Sequence, residues 1–151
     1  MTTLTVSSEI GAPVDQVFRQ FTDIERVAQE VSGIRSIEVM TPGPFGLGTR
    51  WREVREVPLG RLDDAEMEVT SFDRNRGYTI THHKGPARIV TTFSFEPIAT
   101  GTRVAIEYTM DGPGLPPALL SPLGWAISGK VREVLTQDLS DLKAAMERQG
   151  A

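Results

Sequence analysis

The sequence has 151 residues, with 16 Lys and Arg against 20 Asp and Glu, a formal net charge of −4 and no cysteine. A chain of this length suits one domain, 1–151, that buries roughly 70% of its unfolded surface. Absence of cysteine excludes a disulfide scaffold, a thiolate zinc site, an iron–sulfur cluster and a cysteine nucleophile. The acidic balance argues against a nucleic-acid partner, which needs a basic face to displace phosphate counterions. No apolar run approaches the roughly 18 residues of a membrane span, and Met1-Thr2-Thr3-Leu4 has no basic region leading into an apolar stretch. A cytoplasmic protein without integral membrane association is therefore expected.

Leu4, Val6, Ser8 and Ile10 alternate with Thr5, Ser7 and Glu9, the pattern of a half-buried strand. Gly11-Ala12-Pro13 breaks it, and Pro13 suits the first position of a helix, where no amide partner is lost. Val14, Val17, Phe18 and Phe21 follow at helical spacing, predicting a short helix over 13–22. Asp23 can cap a second helix with Ile24, Val27, Ala28 and Val31 on its apolar side, ended by Gly33.

From Ile34 to Met110 one strand follows another: 34–41, 49–57, 64–72, 78–84, 88–96 and 102–110. The turns between them are rich in Gly and Pro, as in Pro42-Gly43-Pro44-Phe45-Gly46-Leu47-Gly48. Connections this short require antiparallel pairing, so six strands form a meander and the first makes seven. Asp111-Gly112-Pro113-Gly114-Leu115-Pro116-Pro117 stops the sheet and suits a hinge or rim. Then Leu119, Leu123, Ile127, Val131, Leu135, Leu139, Leu142 and Met146 recur every three or four residues, opposite Lys130, Arg132, Glu133, Gln137, Asp141, Lys143 and Glu147. That apolar stripe must pack on the sheet, the one large surface available to it.

This order resembles the START-like superfamily, also called SRPBCC, which includes polyketide cyclases, lipid-transfer domains and ligand carriers similar to the birch-pollen allergen. The residues carrying the resemblance are Ile10-x-Ala12-Pro13-x-x-x-Val17-Phe18 with Phe21-Thr22-Asp23, then Gly43-Pro44-Phe45-Gly46-Leu47-Gly48-Thr49-Arg50-Trp51, and Gly101-Thr102-Arg103-Val104. The resemblance implies an α+β helix-grip fold: a curved seven-stranded antiparallel sheet around a long C-terminal helix, with two short helices after the first strand. It also implies an apolar cavity between sheet and helix. Alternation then assigns Trp51, Met67, Val69, Tyr78, Ile80, Phe93, Phe95, Val104, Ile106, Tyr108 and Met110 to the concave side. Trp51, Met67, Tyr78, Ile80, Phe93, Ile106 and Met110 are the candidate ligand-binding residues, with Leu119, Leu123 and Ile127 facing them from the helix. Methionines suit adaptable walls, and Trp and Tyr combine an apolar body with one polar handle.

Few polar residues could do chemistry in such a cavity. Trp51, Glu53 and Arg55 share a strand face, so the carboxylate and guanidinium point inward and must find partners, since an unpaired buried charge is costly. They either pair with neighbours or meet a ligand carbonyl or phenolate. In the aromatic polyketide cyclases that the chain resembles, an arginine in this strand region positions and polarises the substrate, a role that maps on Arg55. His82 and His83 point to opposite faces, and His82 shares the inward face with Tyr78 and Ile80, where a neutral imidazole could act as a base. With Tyr108, these give Arg55, Glu53, His82 and Tyr108 as candidate catalytic residues. Asp63-Asp64, Glu66 and Glu68 read as a solvated strand face. Two adjacent histidines pointing apart make a poor metal site, and the glycines of 43–48 join strand to strand rather than opening a helix, so neither a metal nor a nucleotide cofactor is expected.

The expected function is binding of a hydrophobic small molecule (a lipid, an isoprenoid or an aromatic polyketide-like compound) as carrier or sensor. The alternatives are a polyketide cyclase/dehydratase using the same cavity, and a co-chaperone or stress-response interaction module.

Overall fold

A computed structural model describes residues 2–57, 60–111 and 122–149, with side chains for all of these except Thr2, Val57 and residues 122–128. The strands are β1 (Thr2–Ile10), β2 (Ile34–Val39), β3 (Arg50–Val57), β4 (Arg61–Asp73), β5 (Gly77–Lys84), β6 (Ala87–Ile98) and β7 (Gly101–Asp111). The helices are α1 (Val14–Thr22), α2 (Ile24–Glu30) and α3 (Pro122–Gln149). All strand pairs are antiparallel in the order β1-β7-β6-β5-β4-β3-β2, so the first strand joins the end of the meander and the sheet stays open. This is the α+β helix-grip architecture: a curved seven-stranded sheet holding one long helix.

Two register shifts, between Ile34 and Ser36 in β2 and between Val69 and Ser71 in β4, give the sheet extra local bend. The register keeps the inward set aligned across strands: Trp51 lies opposite Met67, Val69 opposite Ile80, Tyr78 opposite Phe93, and Phe93 opposite Ile106. The solvent face between β3 and β4 carries the ion pairs Arg50–Glu66 and Arg52–Asp64. Both are well exposed, so they favour solubility and register more than stability.

Pro13 caps α1 from outside rather than serving as its first helical residue: its ψ of 150° is extended, and the helix begins at Val14. Asp23 does cap α2, its side chain accepting from the Arg26 amide at 3.4 Å. α1 presses Phe18 and Phe21 on to the sheet. Phe18 meets Phe95 edge-on at 5.1 Å, Phe21 meets the same ring at 5.3 Å, and Tyr78 stacks on Phe93 at 4.7 Å. Each buried ring contributes roughly 1.5–3 kcal/mol.

Polar ties then fix α3 against the rest. Gln20 donates to the Leu142 carbonyl at 2.8 Å, the Ser32 hydroxyl to Asp141 at 2.9 Å, and Arg132 to the Thr5 carbonyl at 3.1 Å. Leu139, Leu142, Ala145 and Met146 are buried, as their spacing requires. Among the described residues, no helix is long and apolar enough to cross a membrane.

At Gly77, a Cβ would stand 2.4 Å from the Phe93 carbonyl oxygen, a backbone atom that cannot swing aside. Gly77→Ala should therefore force β5 from β6 and destabilise the fold by about 1–3 kcal/mol. Urea unfolding checks this, and an unchanged midpoint would show that the strand pair yields freely.

Candidate functional site

Strand alternation turns Trp51, Glu53 and Arg55 to the concave side together. Trp51 is 2% exposed and Glu53 8% exposed, and the Arg55 side chain keeps 19% of its surface. The Trp51 indole Nε1 donates to Glu53 Oε1 at 3.3 Å, and Arg55 Nε donates to Glu53 Oε2 at the same distance. Across the interface Arg55 Nη1 donates to Asp138 Oδ1 of α3 at 3.0 Å. One guanidinium thus holds two carboxylates and ties β3 to α3.

Burial works against charging Arg55, but Asp138 and Glu53 outweigh it and hold the guanidinium pKa above its usual value. Burial also drives the Asp138 carboxyl up, with Arg55 only partly offsetting it. Of this cluster, sequence reasoning found Glu53 and Arg55 and missed Asp138. The available signal was its position: a carboxylate at the spacing of the apolar stripe, between Leu135 and Leu142.

The cluster forms one wall of a cavity of about 80 Å³, roofed by Phe21, Ile24, Val27 and Val31 and floored by the sheet. Of the candidate ligand-binding residues, Trp51, Tyr78, Ile80, Phe93 and Ile106 line it together. Met67 and Met110 lie half-buried on the same sheet face but outside this cavity. Leu119 lies outside the described residues, as does the rim segment 112–117, and the side chains of Leu123 and Ile127 lie outside the description too. Ile34, Ile37 and Phe45 complete the lining from the β2 side. Burial pushes the Tyr78 phenol far above its ordinary value, leaving it an aromatic wall with an undissociated hydroxyl.

His82 and Tyr108 stand apart from that cluster, towards the end of the sheet where β7 stops at Asp111. His82 is on β5 opposite Ile89, and Tyr108 is on β7 opposite Thr91. Asp63 acts electrostatically on both, and Glu53 on His82. Asp63 corrects the expectation of a fully solvated acidic face. Asp64, Glu66 and Glu68 are exposed, but Asp63 opposes Arg55 across the β3–β4 ladder and pairs with Lys84 at 2.9 Å. Adjacent strand residues point to opposite faces, so Asp63 and Asp64 cannot share one.

The buried His82 Nδ1 makes no hydrogen bond with another described residue. Burial lowers the imidazole pKa, with Glu53 and Asp63 opposing the shift, and burial raises the Tyr108 phenol. Both side chains are therefore uncharged near neutral pH. No group of three or more potential ligands among the described residues is placed to hold a metal ion.

An open antiparallel sheet gripping a C-terminal helix over a small, mostly apolar cavity defines a helix-grip protein. The sequence matches the family described as "Polyketide cyclase / dehydrase and lipid transport" over residues 1–147, and the chain belongs to that family. Among solved structures it is similar to TTHA0849 from Thermus thermophilus, with a TM-score of 0.82 and 23% identity, covering 99% of this chain and 100% of that one. It is also similar to the di-domain ARO/CYC StfQ from the steffimycin biosynthetic pathway, with a TM-score of 0.80 and 11% identity, covering 99% of this chain and 52% of that one. Ara h 8.0201 matches with a TM-score of 0.68 and 17% identity, covering 95% and 98% of the two chains. At these identities the likeness is one of fold. No curated protein sequence matches significantly.

Two outcomes are expected from this geometry. Arg55→Met leaves Glu53 and Asp138 facing each other without a cation, so it should destabilise the protein by about 3–5 kcal/mol. Adding Glu53→Gln and Asp138→Asn should recover most of that loss in urea unfolding; no recovery would show that the guanidinium stabilises by packing alone. His82 gives a pH signature. Its imidazole is harder to protonate folded than at the ordinary value of 6.5, so below that pH the unfolded chain binds more protons and stability falls. Between about pH 7.5 and about pH 5.5, His82→Gln should lose less stability than the parent. Equal losses would show that His82 senses no burial.

Proposed function

We propose that the protein binds a hydrophobic small molecule between the sheet and α3 and acts as a carrier or sensor. The observation that carries this reading is the cavity itself: an apolar chamber with one charged wall, the usual composition of a ligand site. Its volume of about 80 Å³ is below the roughly 300 Å³ at which ligand pockets begin, so a lipid-sized guest enters by widening it. The boundary most able to yield is the seven-residue α2, whose apolar side chains are only partly buried.

The engagement of Arg55 favours carriage over cyclisation. Its Nε and Nη1 are held by Glu53 and Asp138, so polarising a substrate carbonyl through them would first require breaking a buried ion pair. The cyclase/dehydratase reading is supported by His82 instead. A half-buried imidazole whose Nδ1 makes no hydrogen bond with another described residue, and whose pKa is held below its usual value, is suited to accept a proton at neutral pH. In that reading His82 is the base, Tyr108 a donor to a developing enolate, and Glu53 and Arg55 position the chain.

Native mass spectrometry of freshly purified protein tests both readings, since a co-purified mass names the ligand class. Ile80→Trp fills the cavity and should weaken binding of that ligand by at least about tenfold while the circular dichroism spectrum stays unchanged. Unchanged affinity would put the ligand elsewhere. Turnover of a bound polyketide-like compound, lost in His82→Gln, would replace the carrier reading by the enzymatic one.

A further inference from the structure

The inner wall does not balance its charges. Glu53 and Asp138 share the one guanidinium of Arg55, while Asp63 is matched separately by Lys84. Among the described residues lining the cavity, Glu53, Asp138 and Arg55 are the charged ones. The cavity wall therefore carries one carboxylate more than the cations that serve it. The hydrogen bonds have the same bias: Glu53 accepts on both oxygens, from Trp51 and Arg55, but Asp138 Oδ2 accepts from no other described residue.

We propose that this excess carboxylate makes the cavity selective for an apolar molecule whose head donates a hydrogen bond, a hydroxyl or an ammonium, and discriminates against one ending in a carboxylate. An anionic head would add a second unmatched negative charge beside Glu53 and Asp138 in a poorly hydrated chamber. A hydroxyl or ammonium instead offers Asp138 a further donor and leaves the Arg55 pairs intact. Specificity arises here from a repulsive element that the apolar lining alone cannot provide. The inference rests on the ligand-binding reading above and names the chemistry of its guest.

The test uses the full-length protein and three probes sharing one alkyl chain: octanol, octylamine and octanoate. Titrations are followed by the Trp51 indole N–H resonance, identified by its loss in Trp51→Phe, because that group points to Glu53 in the cavity wall. Octanol and octylamine should each bind at least about tenfold more tightly than octanoate at neutral pH. Asp138→Asn should bring octanoate to within about threefold of octanol, and Glu53→Gln provides the same comparison should the first variant fold poorly. Octanoate binding as tightly as octanol to the parent would overturn the inference but leave the ligand-binding reading standing. A preference unchanged in both variants would also overturn it. If none of the three probes moves the Trp51 resonance, both fall together.

Discussion

The structure depends on how a single long helix is held by the concave face of an open sheet. An open sheet cannot close on itself, so its inner apolar row needs a cover, and α3 supplies it. Leu139, Leu142 and Met146 of the helix share one buried core with Val6, Trp51 and Ile106 of the sheet. Into this apolar seam the sequence places Glu53, Arg55 and Asp138. Charges there are tolerable only when paired, so the guanidinium that satisfies two carboxylates also sets where α3 can sit relative to β3.

The same constraint shapes the cavity. Side chains at the α1 end are aromatic and fill their space, with Phe18, Phe21, Phe95, Tyr78 and Phe93 in mutual edge and stacked contacts. Towards Arg55 the lining adds charged side chains beside Trp51, and these must keep their pairing geometry rather than collapse into the gap. Space left beside an ion pair cannot be closed by repacking as readily as space among leucines and phenylalanines. The cavity lies there, between the aromatic plug and the ionic tie. Family membership is compatible with carriage and catalysis alike, because one scaffold supports both. In this chain Arg55 is engaged by two carboxylates, and the His82 Nδ1 has no described partner.

Local pattern made the elements readable. Period-two alternation marked the strands, Gly and Pro marked the turns, and the three-to-four spacing from Val131 to Met146 marked the helix. The inward direction of Glu53 and Arg55 followed once Trp51 was assigned to the core, since strand geometry leaves no other choice. Alternation also contained the answer for Asp63, which treating the acidic run as one block concealed. Pro13 shows the limit of boundary reading, because a proline serves equally before a helix and at its first position.

By itself the sequence determined the order of elements, the inner and outer faces of each strand and the absence of any cysteine chemistry, since these depend on residue identity and short-range spacing. Only the tertiary structure decided that Asp138 reaches Arg55, that Asp63 turns to Lys84, and that Trp51 and Ile80 share a cavity whose lining does not include Met67 or Met110. Asp138 lies 83 positions along the chain from Arg55, and no local periodicity encodes a pairing at that distance. Such a contact is set by how the helix seats on the sheet, and the cost of leaving those charges unpaired is part of what seats it.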